Sequence, residues 1–158
     1  MAAAVPHDVG AEPSNSFGKS PGAKARFVYV GTYTFPGTAP GGTHQSQAKG
    51  IYVFKMNPND GGLKPIQTVD NIPNPSYLAL HPTMPRLYSV NEMTDGAVSS
   101  FAINQTNGTL TLINTMPTNG KDTTHLSVDS WGNIFSRRAT PAAAFKVFRS
   151  TGTVPSET

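Results

Sequence analysis

The sequence predicts an all-β chain assembled from repeats of one four-stranded unit, and three observations carry that expectation. From Phe27 onward apolar and polar residues alternate over runs of about four to six residues, the period of a strand with one buried face. The runs are separated by Gly, Pro, Asn and Asp, and the 15 Gly and 14 Pro are spread between them rather than gathered in one tract, which reads as frequent chain reversal. Landmarks also recur: Phe54, Phe101 and Phe148 are spaced by 47 residues, and Leu78 and Leu126 by 48. A unit of about 45 residues holding four short strands is the sequence form of a β-propeller blade, a twisted sheet that packs face to face on the next. A sandwich gives strands without that period.

Residues 1–26 are rich in Ala, Gly, Pro and Ser without any period and are expected to form a mobile leader. The folded part, 27–158, should then run through strands at 27–34, 50–56, 66–69, 77–80, 87–90, 97–103, 111–115 and 125–128. Turns at Asn59, Asp60, Gly61 and Gly62, and at Asn107 and Gly108, suit tight reversals because Gly and Asn accept positive φ. These two turns superpose when the chain is laid over itself. Residues 34–49, with Pro36, Gly37, Pro40, Gly41 and Gly42, form an insertion at one rim, either a lid or a tolerated loop. His81 aligns with Asp129 and precedes Pro82, so its expected role is turn chemistry; Trp131 is expected to pack on a neighbouring blade edge. From Ser136 through Arg137, Arg138 and Pro141 to Ala144 the alternation is lost, and an irregular segment is expected over 136–144. The sum is about two complete four-stranded blades and a partial third.

Composition narrows the function. A net charge of +3 comes from 12 basic and 9 acidic residues, scattered singly apart from Arg137 and Arg138; no stripe tracks a phosphate backbone, and nucleic acid is excluded as an expected partner. With no Cys there is neither a disulfide framework nor a thiolate metal site, which fits a reducing compartment. Ala2, Ala3, Ala4 and Val5 are too short a run for an export signal, and no stretch approaches the ~18 apolar residues of a spanning helix. A cytoplasmic chain without membrane contact is expected. The four His lie far apart, so neither a metal site nor a cofactor is expected.

At this point the residues resemble a specific family. Phe27, Val28, Tyr29, Val30, Gly31, Thr32, Tyr33 and Thr34 look like the opening strand of the seven-bladed propeller lactonases, typified by bacterial 6-phosphogluconolactonase of the propeller type. Gly50, Ile51, Tyr52, Val53 and Phe54 look like its second strand. Asn74, Pro75, Ser76, Tyr77, Leu78, Ala79, Leu80, His81 and Pro82, then Leu87, Tyr88, Ser89, Val90, Asn91 and Glu92, look like its junction into the second blade. With 96–103, Gly108, Thr109, Leu110 and 124–129, the resemblance extends in order to about Phe135.

The resemblance implies a hydrolase that opens a sugar lactone, classically 6-phosphogluconolactone to 6-phosphogluconate in the pentose phosphate route, with a cleft over the central channel to which later blades contribute. The folded part would supply fewer than three of seven blades at about 45 residues each. The expectation is therefore a truncated copy, whose open blade faces would self-associate. Two other readings stay open: a non-catalytic propeller-repeat protein that binds a partner or a carbohydrate, and a related cyclising enzyme of aromatic catabolism.

Opening an ester requires a base for the attacking water and donors for the developing oxyanion. Glu92 at the end of its strand is the candidate base, against a merely solvated strand-end carboxylate. His125, at the register of Tyr77, is the second catalytic candidate, against a hydrogen-bonded His at a blade junction. Thr32 and Tyr33, following Gly31, are expected substrate contacts, against a bulge or packing role. Asn91 beside Glu92, and Lys121 on a loop where a cation would suit a phosphate, complete the expected substrate-binding set.

Overall fold

Ten antiparallel strands form in the computed structural model, which describes residues 26–34, 46–119, 122–138 and 146–149. They are β1 Arg26–Val30, β2 Gly50–Met56, β3 Leu63–Asp70, β4 Leu78–Leu80, β5 Arg86–Asn91, β6 Ala97–Ile103, β7 Leu110–Pro117, β8 Thr123–Val128, β9 Asn133–Arg138 and β10 Lys146–Arg149. They make three sheets, ordered β1-β2-β3, β4-β5-β6-β7 and β8-β9-β10. Among the described residues only the middle sheet has four strands, so the expected two complete four-stranded blades become sheets of three, four and three. By the period, β1 and β9 are counterparts of β5, β2 and β10 of β6, β3 of β7, and β8 of β4.

The repeat read from the sequence is a repeat of backbone geometry. A bulge lies between Val53 and Phe54 of β2, and another between Ser100 and Phe101 of β6. Left-handed backbone recurs with the same spacing: Gly61 and Gly108, Asn71 and Asn119, Asn74 and Asp122. These are residues that tolerate positive φ.

Three expectations are corrected. The first strand stops at Val30 instead of reaching Thr34: a Cβ at Gly31 would meet the carbonyl of Pro75, and residues 31–34 leave the sheet to run beside the loop that carries Asn74. Trp131 is 85% exposed and packs on no blade edge among the described residues. The β8–β9 turn instead seats Gly132 on the preceding sheet, where a Cβ would run into Nε2 of His81. β9 continues through Ser136, Arg137 and Arg138, three residues into the segment expected to be irregular. The leader up to residue 25, the body of the insertion at 35–45 and residues 139–145 lie outside the described residues.

Both faces of the middle sheet are covered, which is why β5 is buried at consecutive residues rather than at alternate ones. On one face Leu87, Phe101 and Leu110 pack with Ile51, Val53 and Ile72 of the first sheet and its exit loop. On the other, Tyr88, Val90 and Val98 pack with Leu126 and Ile134 of the third sheet. Each such side chain is worth about 1.5–3 kcal/mol when removed from water. At the outer edge the sheets are tied by polar contacts: the Gln67 amide donates to the Leu110 carbonyl at 2.9 Å and accepts from its N–H at 2.7 Å, pairing with it as a strand residue would.

β8 packs on β4 and β5, so the second and third sheets converge at the edge formed by β4 and β8, as blades do at the centre of a ring. The antiparallel order creates two rims. One collects the ends of β1 and β5 and the starts of β4 and β8, with residues 31–34, 71–77, 92–96, 118, 119 and 122. The other carries the turns at 57–62, 81–85, 104–109 and 129–132.

Candidate functional site

The rim of residues 31–34, 71–77, 92–96, 118, 119 and 122 holds the candidate site, and its organising residue is Asn74. Its left-handed conformation, φ 39°, turns the chain sharply between β3 and β4, and its buried side chain reaches two other segments. Oδ1 accepts from the N–H of Thr34 at 2.8 Å and from its hydroxyl at 3.3 Å, while the Thr34 Oγ1 accepts from the N–H of Asn74 at 2.9 Å. Nδ2 donates to the Glu92 carbonyl at 3.0 Å, and the Glu92 N–H donates to the Asn74 carbonyl at 3.0 Å. The segments that follow β1 and β5, at Thr34 and Glu92, are thereby locked to one loop.

This lock sets the Glu92 carboxylate. Its Oε2 accepts from the Tyr33 hydroxyl at 2.8 Å and from the Ser76 hydroxyl at 2.6 Å. Both donors use the same oxygen, and Oε1 is left unused by either of them. Burial, then the hydrogen bond and the charge of Glu92, raise the Tyr33 phenol above its ordinary pKa, with Ser76 acting the other way; the phenol stays a proton donor near neutrality. The Tyr33 carbonyl in turn accepts from the Ser46 hydroxyl. Two neutral hydroxyls thus orient one ionisable carboxylate at the edge of solvent, an arrangement suited to holding a water and taking its proton.

Of the residues singled out in the sequence, Glu92 and Tyr33 meet directly. His125 is exposed on the same rim, its ring centroid 4.5 Å from that of Tyr77 with the planes tilted by 49°, one residue along from Ser76. Thr32 lies beside them, but its hydroxyl is spent on the Gly50 carbonyl at 2.7 Å, closing the base of the insertion. Asn91 is 3% exposed, and its Oδ1 accepts from the Ser99 hydroxyl at 2.9 Å; that hydroxyl also bonds the Thr115 hydroxyl at 2.9 Å. This places Asn91 in a polar ladder inside the middle sheet, facing away from a solvent-borne substrate. Lys121 lies outside the described residues. Among the described residues no three His, Asp or Glu side chains gather as metal ligands would.

Sequence reasoning passed over Asn74, Ser76 and Thr34 as functional positions. The one available signal is the 48-residue spacing of Asn74 and Asp122, two residues that tolerate the same unusual backbone.

Residues 27–137 match the family described as "Lactonase, 7-bladed beta-propeller". A 6-phosphogluconolactonase of Formosa agariphila is 32% identical over 134 residues, covering 80% of this chain and 35% of that protein. Among solved structures, a Bacteroides fragilis protein assigned as a 6-phosphogluconolactonase superposes with a TM-score of 0.60 at 28% identity, over 92% of this chain and 40% of its own. The periplasmic gluconolactonase PpgL of Pseudomonas aeruginosa gives 0.63 at 26%, over 78% and 34%. The chain therefore spans little more than a third of the length of these relatives.

Proposed function

Because the chain belongs to the seven-bladed β-propeller lactonases, we propose that its Tyr33–Ser76–Glu92 cluster serves the hydrolysis of a sugar lactone, with 6-phosphogluconolactone, opened to 6-phosphogluconate, as the substrate. Glu92 is the general base. It draws a proton from a water that attacks the lactone carbonyl; the tetrahedral intermediate collapses with cleavage of the ring C–O bond, and the departing alkoxide takes up a proton. Tyr33 and Ser76 are positioning residues that hold the carboxylate through one oxygen, so that the attacking water meets the other. His125 and Lys121 complete the reading, the first as a proton donor or anion contact at the same rim, the second as a cation for the phosphate.

The observation that carries this reading is the anchoring of Glu92 by hydroxyls from two separate segments, at the rim where the innermost strands begin. The test is a pH-stat assay of the 158-residue chain, shown to be folded by circular dichroism, on 6-phosphogluconolactone and δ-gluconolactone. Glu92→Gln should lower kcat by about 10²-fold or more, the usual worth of a general base, with the β-sheet signal retained. Hydrolysis by the folded chain no faster than in buffer, or full activity in Glu92→Gln, would overturn it.

A further inference from the structure

The first residue before β4 and the third residue of β8 occupy the same position in successive repeats, and both carry rings: Tyr77 and His125, 48 residues apart. β4 and β8 are the strands at which the second and third sheets converge. The two rings therefore stand as neighbouring steps at the inner edge of the rim that holds Glu92. Their centroids are 4.5 Å apart with planes inclined at 49°, a V rather than a stack, and Tyr77 keeps 38% of its surface exposed. Its backbone is fixed, since the Tyr77 carbonyl accepts from the Val90 N–H at 3.0 Å, and its chain neighbour Ser76 bonds Glu92 directly.

Packing within the sheets does not account for this ring. The core between the second and third sheets is closed by Tyr88, Val90, Val98, Leu126 and Ile134 without it. A solvent-facing aromatic, braced by a second ring and set one residue from an oriented carboxylate, matches the need of a six-membered polyhydroxy ring, which offers one C–H-lined face to an aromatic and its hydroxyls and carbonyl to polar groups.

We propose that Tyr77, braced by His125, is the platform on which the sugar ring of the substrate lies, setting the ring against Glu92 and selecting six-membered sugar lactones over acyclic esters. The identity of the ring rests on the lactonase reading; the platform is tested without turnover.

The experiment is a titration of the full chain, with its Tyr and His rings isotopically labelled, by glucono-δ-lactam, a ring analogue that is not opened, followed by aromatic NMR. The Tyr77 and His125 ring signals should move together and saturate, while those of Tyr29, bonded to Gly108 at the opposite rim, stay still. Tyr77→Leu should weaken binding roughly threefold to tenfold, in line with the worth of an aromatic contact, and Tyr77→Phe should retain it. In hydrolysis Tyr77→Leu should raise KM with kcat little changed, opposite to Glu92→Gln. Unmoved Tyr77 signals at saturation, or unweakened binding by a folded Tyr77→Leu, would sink the platform whether or not the chain hydrolyses lactones. Ring binding at Tyr77 without hydrolysis would sustain it and defeat the lactonase reading.

Discussion

The junction between the first and second sheets and the junction between the second and third are one backbone carrying different side chains. Asn74 and Asp122 sit 48 residues apart, both left-handed, and each offers its N–H to the preceding sheet's exit segment. At the first junction the acceptor is the Thr34 hydroxyl, at 2.9 Å; at the second it is the Met93 carbonyl, at 3.0 Å. Asn74 is buried and ties three segments together, whereas Asp122 is exposed. The opposite rim repeats the lesson. His81 accepts the N–H groups of Thr83 and Met84 through Nδ1, at 3.2 and 3.1 Å. Asp129, its counterpart, accepts those of Trp131 and Asn133 through Oδ1, at 3.0 and 2.8 Å. Repetition preserves the turn and leaves the chemistry of the capping group free to differ.

The largest expected effect separates the two junctions. Asn74→Ala removes the side-chain hydrogen bonds to Thr34 and to the Glu92 carbonyl and strands buried partners, at a cost of about 3 kcal/mol, whereas Asp122→Ala should cost under about 1 kcal/mol. Urea denaturation of both variants measures the contrast, and equal losses would erase it.

Next comes Gly132→Ala. Its φ of 83° and the imidazole where a Cβ would stand combine backbone strain with overpacking, for about 2–3 kcal/mol. Joining it with His81→Ala should recover part of that loss, because the side chain in the way is gone; a double variant as unstable as the sum would place the clash elsewhere.

The smallest effect is one of pH. His81 is 8% exposed, and its Nδ1 must be unprotonated to accept two N–H groups. Burial first, then the Arg86 charge, lower its pKa, with Asp129 opposing. The unfolded chain, with an ordinary value near ~6.5, therefore binds this proton more readily than the folded one. The stability His81 contributes is fully present above ~6.5 and is lost as pH falls from there through the lower folded value. His81→Asp, which installs the cap used by the next repeat, should flatten that slope below about pH 6.5 in thermal melts. An unchanged slope would assign it to other groups.

How much of this was legible in the sequence varies by residue. The 47-residue spacing of Phe54 and Phe101 predicted equivalent positions, and the structure gives both a bulge at the preceding bond. The alignment of His81 with Asp129 predicted a shared turn role, and both cap a turn. Glu92 and Tyr33 were both singled out, but not as a pair, because a hydrogen bond between residues 59 apart leaves no local periodicity. Asn91 looked like a rim residue from its neighbour Glu92, yet side chains alternate across a strand and its own points into the sheet.

The sequence by itself determined the strand class, the turns and the repeat, because alternation, Gly and Asn at positive φ, and spacing act within a few residues of each other. Only the tertiary structure decided which hydroxyls hold Glu92, which face Asn91 takes and where Tyr77 stands. Those depend on how one twisted sheet settles on the next, and that fit is set by the packing of side chains far apart in the chain.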